Sequence, residues 1–294
     1  MALMGFIREF EAMHGSRERR SDVYTIEVVI SGPIENGLVA GVDYVEPIKR
    51  LEQIADELKG TYLDDIVGRA TNENIAQFLM FNLSDLPIHK IRVTEGTDRY
   101  VELFSDEFDA DTYPAQLAFN KGHSLLLREE PELAKKHFTK AIEINGDFAE
   151  AYNLKGRCLK YTGDFEEALL DFQRTIEIKP DFGEAWRNIG NAYLYLLRYG
   201  EMIPAFDRAV ELMPNSALAI NNRGYGYFVK KDFSLAIQDH IRAIEIDPNY
   251  AEAHYDKSMA LNALGKMELA KEALLESRRL RKSGEDTFYR IKMY

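Results

Sequence analysis

Residues 184–196 read EAWRNIGNAYLYL, and the spacing inside that stretch returns every 34 residues from 115 to 282. Five copies stand end to end. Counting each copy from its first residue, position 8 is Gly122, Gly156, Gly190, Gly224 and Ser258. Position 20 is Ala134, Ala168, Met202, Ala236 and Ala270, and position 27 is Ala141, Thr175, Ala209, Ala243 and Ser277. Position 24 is Phe138, Phe172, Phe206, His240 and Leu274. Small residues at 8, 20 and 27 let two antiparallel helices approach closely, and the larger side chain at 24 fills the space between them. Position 32 holds Pro180, Pro214 and Pro248, each ending a second helix.

This pattern resembles the tetratricopeptide repeat. The resemblance implies an all-α solenoid over 115–282, with a groove lined by the first helix of each pair. In the repeat family, positions 2, 5, 6, 9, 12 and 13 border that groove. Here they supply Asn153, Arg157, Arg187, Asn191, Asn221, Asn222 and Tyr225 as candidate peptide-binding residues. Each asparagine offers both a donor and an acceptor, which suits an extended peptide backbone. Arg157, Lys160 and Arg187 add a positive stripe. Arg187 with Asn191 and Asn222 suggests the carboxylate clamp of chaperone-tail binders, which Glu252 and Asp256 interrupt in the next copy. Trp186 at position 4 and Cys158 at position 10 read as packing residues. Residues 283–294 open with Ser283-x-x-Asp286 and are expected to form a capping helix.

The chain ahead of the repeats has another texture. ALMGFIREFEA (2–12) and VYTIEVVISG (23–32) read as strands, and a gap with Pro33, Gly37 and Gly41 follows. EPIKRLEQIADEL (46–58) and NENIAQFLMFNL (72–83) have helical spacing, the second behind an N-cap at Thr71. HKIRVTEG (89–96) and RYVELFS (99–105) read as strands joined by a turn. The expected domain, residues 1–104, is α+β: a four-stranded antiparallel sheet with two helices on one face. Residues 105–114, with four acids ahead of Pro114, read as an extended acidic linker.

Five segments in order make residues 5–104 resemble the 6-pyruvoyl-tetrahydropterin and 6-carboxytetrahydropterin synthase family. They are FEAMH (10–14), YTIEVVISG (24–32), GVDY (41–44), ATNENIAQFL (70–79) and VTEG (93–96). The resemblance implies a tunnelling fold that assembles into rings, and a zinc ion on three histidines. It also implies a reactive cysteine and an Asp-His pair. The matching positions hold Arg20 and Asp22 for two histidines, Ser16 for the cysteine and Lys59-Gly60 for the pair. His14 is left as a remnant. A catalytic zinc takes three protein ligands, and a serine needs a neighbouring base. The expectation is therefore a degenerate site with no catalytic residue, no metal and no cofactor. Glu95 matches the carboxylate that holds the pterin; as a ligand anchor it competes with a plain surface glutamate at a turn.

The net charge of −12 is uneven: −7 over residues 1–105, −4 over 106–114 and −1 over the rest. No region is net basic, so nucleic acid is not an expected partner. No apolar run approaches the roughly 20 residues that span a bilayer. The first fifteen residues are interrupted by Arg8, Glu9 and Glu11 and do not read as a secretory signal. The lone Cys158 excludes an internal disulfide and fits a reducing, cytoplasmic setting. The resulting expectation is an interaction scaffold: a repeat groove for a peptide or protein, carried by a degenerate domain that forms a homo-oligomer. Two alternatives stand beside it, a divergent pterin-synthase-type enzyme and a non-catalytic pterin or purine sensor.

Overall fold

The computed structural model describes residues 2–14, 20–32, 34–35, 38–39, 45–58, 67, 71–84, 88–95, 99–106 and 108–283. The chain divides into two compact units, residues 1–146 and 147–294.

In the first unit, strands β1 (Ala2–His14), β2 (Arg20–Gly32), β5 (Ile88–Glu95) and β6 (Arg99–Phe104) make one antiparallel sheet in the order β1-β2-β5-β6. Side chains are described on the last three of these. β1 and β2 pair from Ala2 with Gly32 to His14 with Arg20. β2 and β5 pair from Tyr24 with Glu95, with an irregularity between Val29 and Ile30. Strand alternation gives the sheet two faces. Tyr24, Ile26 and Val28 of β2 and Ile91 and Val93 of β5 are buried under α1 (Val45–Leu58) and α2 (Asn72–Asn82). The helices contribute Leu51, Ile54, Leu58, Ile75, Leu79 and Met80 to the same core. On the opposite face Glu102 accepts from Lys90 and Arg92, and Arg92 also reaches Glu27. Thr71 caps α2: its Oγ1 accepts from Asn74 N at 3.1 Å. Two short strands, β3 (Ile34–Glu35) and β4 (Leu38–Val39), pair within the stretch read as a gap.

The acidic segment is not extended. Asp109 Oδ1 accepts from the amides of Asp111 and Thr112, and Tyr113 N bonds Asp109 O, so the chain turns directly into helix α3 (Tyr113–Leu127). Tyr113 is buried against Phe81 and Phe108, with ring centroids 5.2 and 5.5 Å away. Burying one aromatic outweighs repulsion between solvated carboxylates.

Residues 113–283 form five helix pairs: α3 with α4 (Pro131–Ile144), α5 (Ala149–Thr162) with α6 (Phe165–Ile178), α7 (Gly183–Tyr195) with α8 (Tyr199–Leu212), α9 (Ala217–Val229) with α10 (Phe233–Ile246), and α11 (Ala251–Ala263) with α12 (Met267–Ser283). The close approach is real. A Cβ built on Gly122, Gly156 or Gly190 falls 2.8, 2.7 or 2.5 Å from the phenylalanine at position 24 of its own pair. Those three rings are fully buried. The turn inside every pair places position 15 in the left-handed region: Glu129, Gly163, Leu197, Lys231 and Gly265 have φ between 59° and 90°. The cap expected over 283–294 lies outside the described residues beyond Ser283. Among the described residues, no helix is long and apolar enough to cross a membrane.

Candidate functional site

Within the second unit the first helices pack in series, α5 on α7, α7 on α9 and α9 on α11. Positions 5, 9 and 13 lie four residues apart on each helix and so share one face, about 6 Å from step to step. Most of the candidate groove residues stand on this layer.

The structure separates them into two groups. Asn153 and Asn221 are each 2% exposed and are tied into the layer. Asn188 Nδ2 donates to Asn153 Oδ1 at 3.0 Å, and Asn221 Nδ2 donates to Asp256 Oδ2 at 2.7 Å. Both bonds join position 5 of one repeat to position 6 of the next. These two asparagines hold neighbouring repeats together rather than facing a guest. Burial without such bonds would leave polar groups unsatisfied, at a cost of about 1–3 kcal/mol each. Asn188 and Asp256 were not among the candidates. The available signal was the run of polar residues at position 6, Asn188, Asn222 and Asp256, which a purely solvated face does not require.

The second group is open to solvent in part: Arg157, Arg187, Asn191, Asn222 and Tyr225. Asn222 Nδ2 donates to Asn191 Oδ1 at 3.3 Å, joining α9 to α7 while leaving amide valences on both residues. Arg157 and Arg187 form no hydrogen bond or ion pair with any described residue. Burial pushes the Arg187 guanidinium below its ordinary pKa, and Arg157 pushes the same way, while Glu184 and Tyr250 oppose it. Two other cations on the first helices are matched. Lys155 reaches Asp171 at 2.8 Å, and Arg223 grips both oxygens of Asp239 at 2.7 Å with Asp207 beside it.

Beyond the arginines the layer turns aromatic. Burial raises the pKa of Tyr225, with Asp256, Tyr195, Tyr199 and Tyr255 contributing in that order. Tyr195 is 58% exposed and Tyr255 39%. Tyr195 and Tyr255 stand at positions 13 and 5 of their copies and are not among the candidates read from the sequence.

Below this face His240 takes the place of the buried phenylalanine. Burial pushes its pKa down to about 4, and it is neutral at pH 7. Burial raises Asp256 to about 7, opposed by the bond from Asn221. Cys158 is buried.

In the first unit Glu95 ends β5, opposite Tyr24 of β2 and Arg99 of β6. Alternation places it on the helix-covered face with Ile91 and Val93, and it is partly buried. Backbone register sets His14 opposite Arg20 and Asp22 opposite Ala12. The side chains of those residues, and the whole of Ser16, Gly41–Tyr44 and Lys59-Gly60, lie outside the described residues. Among the described residues no group of three or more His, Cys, Asp or Glu is placed to hold a metal.

Family comparison matches the tetratricopeptide repeat at residues 149–182 and, in a second form, at 115–148, 183–216 and 251–282. The unmatched copy, 217–250, is the one with His240 in place of phenylalanine, and it folds into the same helix pair. Among solved structures the chain is similar to MamA (41-end) from Desulfovibrio magneticus RS-1, at 21% identity and a TM-score of 0.52, over 58% of this chain and 96% of that one. It is also similar to TTC0263, a thermophilic TPR protein in Thermus thermophilus, at 17% identity and a TM-score of 0.51, over 61% and 96%. These likenesses concern the repeat fold. No curated protein sequence matches this chain.

Proposed function

We propose that this chain, whose residues 115–282 are tetratricopeptide repeats, is an interaction scaffold whose layer of first helices binds a peptide or an extended segment of a protein. One observation carries the reading. Arg157 and Arg187 stand on adjacent helices without a hydrogen bond or ion pair to any described residue, and Glu184 on the same helix acts on Arg187 only at a distance. Lys155 and Arg223 nearby, by contrast, have their acids in direct contact. An anionic guest would complete the site. The contacting set is then Arg157, Arg187, Asn191, Asn222 and Tyr225, with Asn153 and Asn221 positioning the helices beneath.

The test is to pan a random peptide library against the full chain and follow amide exchange on binding. Added protection should fall on α5, α7 and α9. Protection confined to the second helices, α6, α8 and α10, would move the site to the other layer and overturn the reading.

The N-terminal sheet fits a role in self-assembly. Among the described strands, β1 pairs only with β2 and β6 only with β5, and open edges recruit further strands. A catalytically degenerate, pterin-synthase-like ring former is the finer form of this proposal, and Glu95 is its one retained ligand-type carboxylate. A cytoplasmic setting fits the single, buried cysteine. Light scattering that finds the full chain monomeric at micromolar concentration would remove the oligomer from the proposal.

A further inference from the structure

The tyrosines beside the arginine pair are held as platforms. Tyr195 at the end of α7 stacks on Phe165, with centroids 4.4 Å apart and planes 9° apart. Tyr225 on α9 stacks with Phe228 at 6.1 Å and 26°. The Arg281 guanidinium sits 5.6 Å from the ring centre of Tyr255 on α11. Each ring therefore has a neighbour from its own fold on one side. Position 13 of one copy, position 9 of the next and position 5 of the one after run diagonally across the layer: Tyr195, Tyr225, Tyr255. Arg157 and Arg187 occupy the parallel diagonal, positions 9 and 5, and the Asn191–Asn222 pair lies between.

We propose that this surface recognises a proline-bearing, extended segment with an acidic residue at one end. The tyrosine diagonal takes the prolines and the Arg157–Arg187 pair takes the carboxylate. The inference rests on the groove reading above and names its ligand class. A polyproline-type strand has no internal hydrogen bonds and presents flat rings and bare carbonyls. Phenol rings meet the first and phenol hydroxyls donate to the second, which is why aromatic-lined grooves suit such strands. Pre-stacked rings lose little freedom on binding. Arg187 and Tyr195 are eight residues apart on α7, about 12 Å along the axis. At about 3.1 Å per residue, the acid then lies about four residues from the nearest proline.

The probes are fluorescent peptides with the full chain, read by anisotropy. One carries two glutamates, a two-glycine spacer and six prolines, and a second has the same residues in reverse order. Two controls replace the glutamates by lysines or the prolines by serines. One of the two orientations should bind at least tenfold tighter than either control. Tyr195→Ser and Tyr255→Ser, on exposed rings, and Arg187→Ala should each weaken it about tenfold without lowering the melting temperature appreciably. If all probes bind equally or not at all, while library-selected peptides still protect the first helices, the proline-and-acid inference falls and the groove reading stands. If no peptide of any kind protects those helices, both fall.

Discussion

His240 Nδ1 lies 2.7 Å from Asn221 Oδ1. The same Asn221 amide donates to Asp256, so one asparagine joins a second helix to the first helix of the next repeat. With Asn221 Oδ1 accepting, the bond places a proton on Nδ1, and burial keeps the ring neutral. His240 replaces the ring found in three other copies, and it fits under Gly224 as they fit under theirs, 2.9 Å from a built Cβ. Packing is kept, and a polar link is added.

Asp256 puts that link under pH control. Its folded pKa, about 7, lies above the unfolded value of roughly 4. Between those values the folded chain keeps a proton that the unfolded chain has lost. Its contribution to stability therefore falls as pH rises through the window and is flat above it. His240 has the opposite slope between about 4 and 6.5, since there the unfolded chain holds the proton. Glu252 raises Asp256 further and Arg281 opposes it. Asp256→Asn keeps an acceptor for Asn221 and removes one titration. The stability gap between variant and parent should be smallest near pH 4 and widen by up to about 1.4 kcal/mol per unit towards pH 7. Urea titrations at four pH values measure it; a constant gap would contradict the assignment.

Gly190→Ala should destabilise. The added methyl meets Phe206 Cδ1 and Cε1 at 2.5 Å, and that ring is fully buried and has no open side to yield into. Overpacking costs about 1–3 kcal/mol, against about 1 kcal/mol gained in helix propensity. Gly200→Ala in α8 is the control: its Cβ meets nothing within 4 Å, and it should stabilise by up to about 1 kcal/mol. Thermal melts of the two variants should move in opposite directions.

Leu197→Gly should stabilise, contrary to the usual effect of deleting a leucine. Leu197 has φ 59°, and its side chain is 69% exposed. Relief of left-handed strain is worth about 1 kcal/mol, and little burial is lost. The same change at Lys231, φ 68°, should act alike. A drop in unfolding midpoint for both would show that the turn does not hold this conformation.

Residues at repeat positions 8, 20, 24 and 27 made the helix pairs legible, because each writes its packing role in its own size. Position 15 was hidden: only Gly163 and Gly265 advertise the left-handed turn that Glu129, Leu197 and Lys231 also adopt. The groove was legible as a face but not in depth. Asn153 and Asn191 look alike in the sequence, and only contact with the following repeat buries one and leaves the other partly open. The acidic segment misled for a related reason. Its charges are local, whereas the partner that folds it back, Phe81, lies 32 residues from Tyr113.

Arg157→Glu separates stability from function in one substitution. In the parent the Arg157 charge opposes that of Arg187, and Glu184 offsets it only from a distance. A glutamate at 157 would give Arg187 a partner across the same gap. The new pair lies on a partly open surface, so its gain is modest, about 0.5–1 kcal/mol. The unfolding midpoint should rise, and most at low salt, where screening is weakest. Capture of an acidic peptide should be lost, because one cation has been reversed and the other occupied. Arg157→Gln should show half of each effect: relief of repulsion without a new pair, and weakened rather than abolished capture. A lower midpoint for Arg157→Glu would mean that the two side chains do not face each other. Unchanged capture would mean that the acidic guest binds elsewhere on the chain.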